Sequence, residues 1–206
     1  MHISPADIDA VVFDLGNVLV EIDFQRVFDC WAHYAGCSPE QISGRYSHDP
    51  HYEKHERGEI SAAEYFASLR RSLGLKITDA QFLEGWNQIF VGEVPSIRQL
   101  VREYALMFPV YVFSNSNEAH KITWMALYSE LMQPFKEVFV SSDMGKRKPE
   151  LDAYLYVAES IGAEPGRILF FDDSLPNIKG AQRAGMRARK VESVADVQFV
   201  LRLLQS

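Results

Sequence analysis

Apolar residues along the chain follow two alternating patterns. Short unbroken apolar runs occupy residues 10–13, 110–113, 138–140 and 168–171, the first ending on Asp14 and the third following Glu137. Each is bounded by polar or turn-forming residues, as expected for strands covered on both faces. Between these runs the spacing changes to three and four. Ile97, Leu100, Val101 and Tyr104 make one such stripe, and residues 150–161 carry another. Further helices are expected from about Glu118, up to about Gly185 and from Val194, with a short strand from Arg187 to Val191. Repeated strand–helix alternation predicts an α/β core, doubly wound on a parallel sheet.

The alternation is interrupted after the first strand. Phe24 to Tyr34 is amphipathic with a helical period, Gly36 closes it, and Ser38-Pro39-Glu40 starts a shorter helix. Residues 46–58 form a polar, histidine-rich connection. Ser61-Ala62-Ala63-Glu64 is a capping box for a helix to about Leu73. Thr78-Asp79 caps another, with Phe82, Trp86, Ile89 and Phe90 on one face. The expectation is a helical insert at residues 21–92, made only of helix and loop, splitting a core of residues 1–20 and 93–206. Pro95 is expected to open the next core helix.

Composition narrows the function classes. With 47% apolar and 12% aromatic residues among 206, the chain can bury a core. Its 21 basic and 28 acidic residues give a net charge of −7, and no Lys/Arg block is present, so nucleic acid is not an expected partner. Cys30 and Cys37, seven apart, are expected on one helix face as reduced thiols. Met1-His2-Ile3-Ser4-Pro5 has neither a basic region nor a long apolar run, and no apolar stretch approaches membrane-spanning length. A soluble, cytoplasmic protein without a membrane partner, as monomer or small homo-oligomer, is the expectation.

The chemistry collects where the strands end. The first runs into Asp14, the second into Ser114-Asn115, and that of residues 168–171 into Asp172-Asp173; Lys148 follows the strand of residues 137–140. In a parallel sheet these ends share one edge and can converge. Crowded carboxylates call for a hard cation such as Mg²⁺. With a hydroxyl and a fixed positive charge they make a site for a transferring phosphoryl group, which Asp14 can attack. Taken singly, each motif has a structural reading: Asp172-Asp173 and Ser114-Asn115 as helix caps, and Lys148-Pro149 as a helix entry. It is their joint order that points to a site.

These motifs resemble those of the haloacid dehalogenase-like (HAD) hydrolases: Phe13-Asp14-Leu15-Gly16-Asn17-Val18, then Val112-Phe113-Ser114-Asn115, then Lys148-Pro149, then Phe171-Asp172-Asp173 with Asn177. The helical block resembles that family's inserted cap over a Rossmann-like core. More narrowly, Asp14 to Val18, Ile22-Asp23-Phe24, His55 to Ser61 and Gly85-Trp86 resemble the bacterial alpha-D-glucose-1-phosphate phosphatases. The resemblance implies a phosphatase for a small phosphorylated metabolite, with Asp14 as nucleophile. It implies Mg²⁺ held by Asp14, the Gly16 carbonyl, Asp173 and Asp172, and phosphate held by Ser114, Asn115 and Lys148. Asn177 would support the loop, and the cap would hinge near residues 20–23 and 91–95.

One position departs from the family. Most of its phosphatases carry a second Asp two residues after the nucleophile as general acid and base; here that residue is Gly16. His55 or Glu56 of the insert are candidate substitutes. A missing acid also suits a metal-independent 2-haloacid dehalogenase, though the Asp172-Asp173 pair argues for a cation. A catalytically silent binding protein is a third reading, since fold does not dictate function. His48, His51 and His55 suggest polar cap surface before a metal site. Trp31 and Trp124 suggest core, and Trp86 is the one tryptophan kept as a candidate sugar platform.

Overall fold

The computed structural model describes residues 4–205. Residues 1–3 of the N-terminal stretch read above lie outside the described residues. The apolar run at the start forms β1 (Ala10–Phe13), buried at every position. A short strand, β2 (Val20–Ile22), leads into five helices. These are α1 (Phe24–Ala35), α2 (Pro39–Ser43), α3 (Pro50–Glu56), α4 (Ala62–Leu73) and α5 (Asp79–Asn87). The chain returns through β3 (Phe90–Glu93), antiparallel to β2. There follow α6 (Ile97–Met107), β4 (Val110–Ser114), α7 (Glu118–Leu127), α8 (Ser129–Met132), β5 (Glu137–Val140) and α9 (Ser141–Met144). The last elements are α10 (Leu151–Ile161), β6 (Ile168–Asp172), α11 (Leu175–Arg183), β7 (Arg187–Lys190) and α12 (Val194–Gln205).

The main sheet is parallel in the order β5-β4-β1-β6-β7, so β1 is central. Val11 to Phe13 pair with Val110 to Val112 on one side, and Ala10 to Phe13 with Ile168 to Phe171 on the other. The chain winds outward first through β4 and β5, then through β6 and β7. The reversal falls beside β1, where a crevice opens at the strands' C-terminal ends. Alternate residues face opposite layers. Ala10 and Val12 pack with Tyr154, Val157 and Ala181 of α10 and α11. Val11 and Phe13 pack with α6 and α12, in a cluster that continues to Trp31 and Trp86 of the inserted helices.

Local signals set the helix ends. Gly36 takes φ 66° at the end of α1, and Ser61 and Glu64 close a reciprocal capping box on α4. Gly85 is required by packing: a Cβ there would lie 2.3 Å from the Trp31 ring. That is how closely α5 lies on α1.

Several local expectations are corrected. The segment from 22 to 92 is not only helix and loop, because β2 and β3 form a two-stranded ribbon at its base. Three or four residues are too few for a strand period to show. The connection at 46–58 contains α3, which Asp49 caps and Pro50 starts; its polar sequence hid it. Ile89 and Phe90 lie beyond α5, and the next helix starts at Ile97 after Ser96, not at Pro95. Gly36 ends α1 before Cys37, so the two cysteines do not share a helix face; both are free and half-buried. Among the described residues, no helix is long and apolar enough to cross a membrane.

Candidate active site

Three neighbouring strands deliver the acids and the hydroxyl. Asp14 leaves β1, Ser114 ends β4, and Asp172 ends β6 with Asp173 just beyond. The Asp14 main-chain N–H donates to the Phe171 carbonyl at 2.8 Å, which locks Asp14 beside the end of β6. Carboxylate oxygens of Asp14, Asp172 and Asp173 can lie within 4.8 Å of one another. Among the described residues this is the one such group of three potential ligands.

Lys148 enters this cluster from the loop before α10. Its ammonium is 1% exposed and donates to Asp14 Oδ1 at 2.7 Å, Asp172 Oδ2 at 2.7 Å and the Phe113 carbonyl at 2.8 Å. An ammonium has three donors, so all are taken, and a phosphate would have to displace one. Asn115 holds the lysine loop with both ends of its amide. Its Nδ2 donates to the Lys148 carbonyl and its Oδ1 accepts from the Lys148 N–H, each at 2.8 Å. Its side chain thus positions Lys148, a more specific job than the phosphate contact expected of it. Ser114 is free for a ligand by comparison: its hydroxyl has a single 3.4 Å bond, to the Asn115 carbonyl.

The acids differ in availability. Asp172 is fully buried and accepts from Lys148, the Ser174 N–H at 2.8 Å and Asn177 Nδ2 at 3.0 and 3.1 Å. Asn177 is itself anchored, since Tyr154 Oη donates to its carbonyl at 2.8 Å. Asp173 accepts from Asn17 Nδ2 at 3.0 Å. Asn17 sits at φ 56°, where asparagine is the best tolerated residue after glycine, and its Oδ1 accepts from the Ile22 N–H. One side chain therefore ties the turn after β1 to β2 and to Asp173. The sequence motif contained Asn17 but did not show this job; an asparagine in a turn was the only available signal.

Burial raises the Asp14 carboxyl to about 7 against the pull of Lys148, with Asp172 and Asp173 adding to the rise. Desolvation likewise raises Asp173. Desolvation works against the Lys148 charge, but Asp14 and Asp172 outweigh it and hold the ammonium above its ordinary value. Three carboxylates against one ammonium leave two formal negative charges. An all-oxygen donor set with that excess fits a hard divalent cation. Asp14 Oδ2 and Asp173 Oδ1 are the side-chain oxygens of this set that accept nothing from Lys148, Asn17, Ser174 or Asn177.

Ile22 occupies the space above Gly16. A Cβ at Gly16 would meet Ile22 Cδ1 at 3.1 Å, so a side chain there would need the end of Ile22 to shift by a few tenths of an ångström. Beside Gly16 a cavity of about 70 Å³ reaches Ser114, Ile22, Phe24, Tyr52 and Glu56. A larger hollow, about 640 Å³, lies between the α3–α4 connection and α7; none of the strand-end acids lines it, so size does not mark the chemistry here. The two candidate substitute acids part company. Glu56 lines the small cavity, whereas His55 is buried against Tyr65 with Nδ1 toward the Ile60 carbonyl. Trp86 is 1% exposed, stacked between Trp31 and His120, and does not line the cavity; it is core and no sugar platform. Trp31 and Trp124 are core as expected.

A profile of haloacid dehalogenase-like hydrolases matches residues 8–185. The chain belongs to that family. A D-ribitol-5-phosphate phosphatase of Bacteroides thetaiotaomicron is 23% identical over 90% of this chain and 93% of its own. A phosphatase of Mycobacterium tuberculosis is 30% identical over 90% of this chain and 88% of its own. Among solved structures, a HAD family enzyme of B. thetaiotaomicron in complex with magnesium superposes with a TM-score of 0.82 at 26% identity, covering 95% of this chain and 99% of that one. The L-2-haloacid dehalogenase of Xanthobacter autotrophicus shares the fold at a TM-score of 0.68 and 22% identity, over 89% and 77%. The chain is accordingly a phosphatase-type enzyme on a HAD fold.

Proposed function

We propose that this enzyme hydrolyses a small sugar or polyol phosphate with Mg²⁺, through an aspartyl-phosphate on Asp14. The observation that carries the reading is the buried Asp14–Lys148–Asp172 set with Asp173 beside it. It combines a nucleophile, a fixed cation and spare carboxylate oxygens. Lys148 pins Oδ1 of Asp14, which leaves Oδ2 to attack phosphorus. The bond from phosphorus to the ester oxygen breaks, and that oxygen leaves as an oxyanion that takes its proton from water. A second water then attacks the acyl phosphate, releasing inorganic phosphate and returning the Asp14 carboxylate.

Asp14, the Gly16 carbonyl and Asp173 would hold Mg²⁺, which supplies charge for the phosphate oxygens when bound. Asp172, with its oxygens already used, orders Lys148 more than it offers a ligand. Ser114 donates to the phosphate. With Gly16 in place of an acid, the substrate must leave easily or receive its proton from water. A hemiacetal oxygen, as in a hexose 1-phosphate such as glucose 1-phosphate, meets that demand; the ribitol 5-phosphate relative supports the wider polyol class. Residues 21–92 act as a cap over the site, flexing at the β2–β3 ribbon to admit substrate and exclude water.

The dehalogenase alternative uses the same aspartate without a cation and leaves Asp173 unexplained. The test is Asp14→Asn with a panel of phosphate esters and haloacids, with and without EDTA. Phosphate release should fall about 10³-fold or more in the variant at unchanged circular dichroism, and should vanish in EDTA. Turnover that survives either change refutes the mechanism.

A further inference from the structure

Glu56 is a carboxylate where a binding cavity would be expected to be neutral. It ends α3, is 5% exposed, and lines the cavity beside Gly16 and Ser114. Its charge is held from behind. Arg147 Nε and Nη2 both reach Glu56 Oε2, each at 2.8 Å, and Nη1 lies 3.4 Å from Glu53. Arg147 does not line the cavity, so its donors are spent on the far side. Glu56 Oε1 receives none of these bonds, while the Tyr52 hydroxyl is within hydrogen-bonding reach of the carboxylate.

The rest of the lining offers no counter-charge. Ile22, Phe24, Ile89 and Phe90 are apolar, and His120 has both ring nitrogens engaged, with the Trp86 carbonyl at 2.9 Å and Asn117 at 3.2 Å. A second anionic group on the substrate would meet a like charge with no cation in the lining, the Arg147 donors being directed at Glu56 and Glu53 from behind. A hydroxyl would instead meet a fixed acceptor. The cavity admits only roughly five waters' worth of ligand, so Glu56 reads a group close to the phosphate.

We propose that Glu56 is the specificity-determining residue of this site. It selects phosphate esters whose carbon skeleton bears neutral hydroxyls and rejects those that bear a carboxylate. The assignment rests on the phosphatase reading above. It differs from a proton-donor role, because a carboxylate clamped by a guanidinium is an acceptor.

The test uses the full chain with Mg²⁺ and compares ribitol 5-phosphate and glucose 1-phosphate with 2-phosphoglycolate and 3-phosphoglycerate. p-Nitrophenyl phosphate reports the chemistry alone. Wild type should favour the hydroxylated esters by about 100-fold in kcat/KM. Glu56→Gln should shrink that preference about tenfold, mainly through KM. Glu56→Asp keeps the charge and the Arg147 partner, and so carries the test if the glutamine variant does not fold. It should still reject the carboxylated esters while its KM for the hydroxylated ones rises. Wild-type preference for carboxylated esters overturns the assignment, as does an unchanged preference in both folded variants. A fall in kcat at constant KM would make Glu56 a proton donor and overturn it too. Failure of wild type on every ester, p-nitrophenyl phosphate included, would instead overturn the phosphatase reading and this inference with it.

Discussion

Asn17 concentrates two demands in one residue. Its backbone is left-handed, and its amide joins Asp173 to the N–H of Ile22. Alanine would meet a backbone cost of about 1–2 kcal/mol and lose both bonds, whereas glycine loses only the bonds. Asn17→Gly should therefore be more stable than Asn17→Ala in urea denaturation. On the proposed Mg²⁺ reading, both should bind the ion about tenfold or more weakly by titration calorimetry, as expected when a partner that orients a ligand is removed. Equal affinity in wild type and Asn17→Gly would show that Asp173 needs no such support. The same economy appears at Lys148, whose donors are all spent within the protein, and at Asn115, which holds the lysine's main chain.

At the scale of elements, the close approach of α5 to α1 is decided by Gly85. A mid-helix glycine replaced by alanine ordinarily gains up to about 1 kcal/mol. Here the new methyl would lie 2.3 Å from Trp31 Cδ1 and 2.4 Å from its Nε1. That ring is fixed by a 3.0 Å bond from Nε1 to the Phe82 carbonyl and by stacking on Trp86, so it cannot give way. Overpacking costs about 1–3 kcal/mol, so the loss wins. Gly85→Ala should lower the urea midpoint; a raised midpoint would mean that the helices separate freely. The β2–β3 ribbon below these helices lets them attach without breaking the parallel sheet, and it brings Ile22 over Gly16.

Across the whole molecule, one apolar cluster runs from Val11 and Phe13 to Trp31 and Trp86, so the insert shares its core with the sheet. Histidines line this seam. Burial lowers His120 from 6.5 to about 3, and also lowers His48 and His55. His120 is therefore neutral when folded down to that value, while the unfolded chain takes up protons near the ordinary one. Below pH 6.5 the unfolded state binds more protons, and stability falls with pH until the folded value is reached. Asp14 acts in the opposite sense: its carboxyl, raised by burial to about 7, is protonated more readily when folded. Comparison with His120→Gln separates the two. Wild type should lose stability on acidification from about pH 6 to 4 more steeply than the variant, by up to about 1.4 kcal/mol per pH unit. Equal slopes in denaturant titrations would show that His120 titrates normally.

The amino-acid sequence alone determined the α/β alternation, the five strands of the parallel sheet and the order of Asp14, Ser114, Lys148 and Asp172-Asp173 along its edge. Those features are local: the inner strands β1, β4 and β6 are apolar up to the polar residue that ends each, and that residue stands out. The tertiary structure decided what depends on distant partners. Arg147 meets Glu56, 91 residues away, and Asn17 meets Asp173, 156 residues away. The Ile22 side chain lies close over Gly16, and Trp86 is buried between two other rings. A short ribbon and a seven-residue helix owe their form to what they pack against, because so few residues cannot display a period or bury a face by themselves.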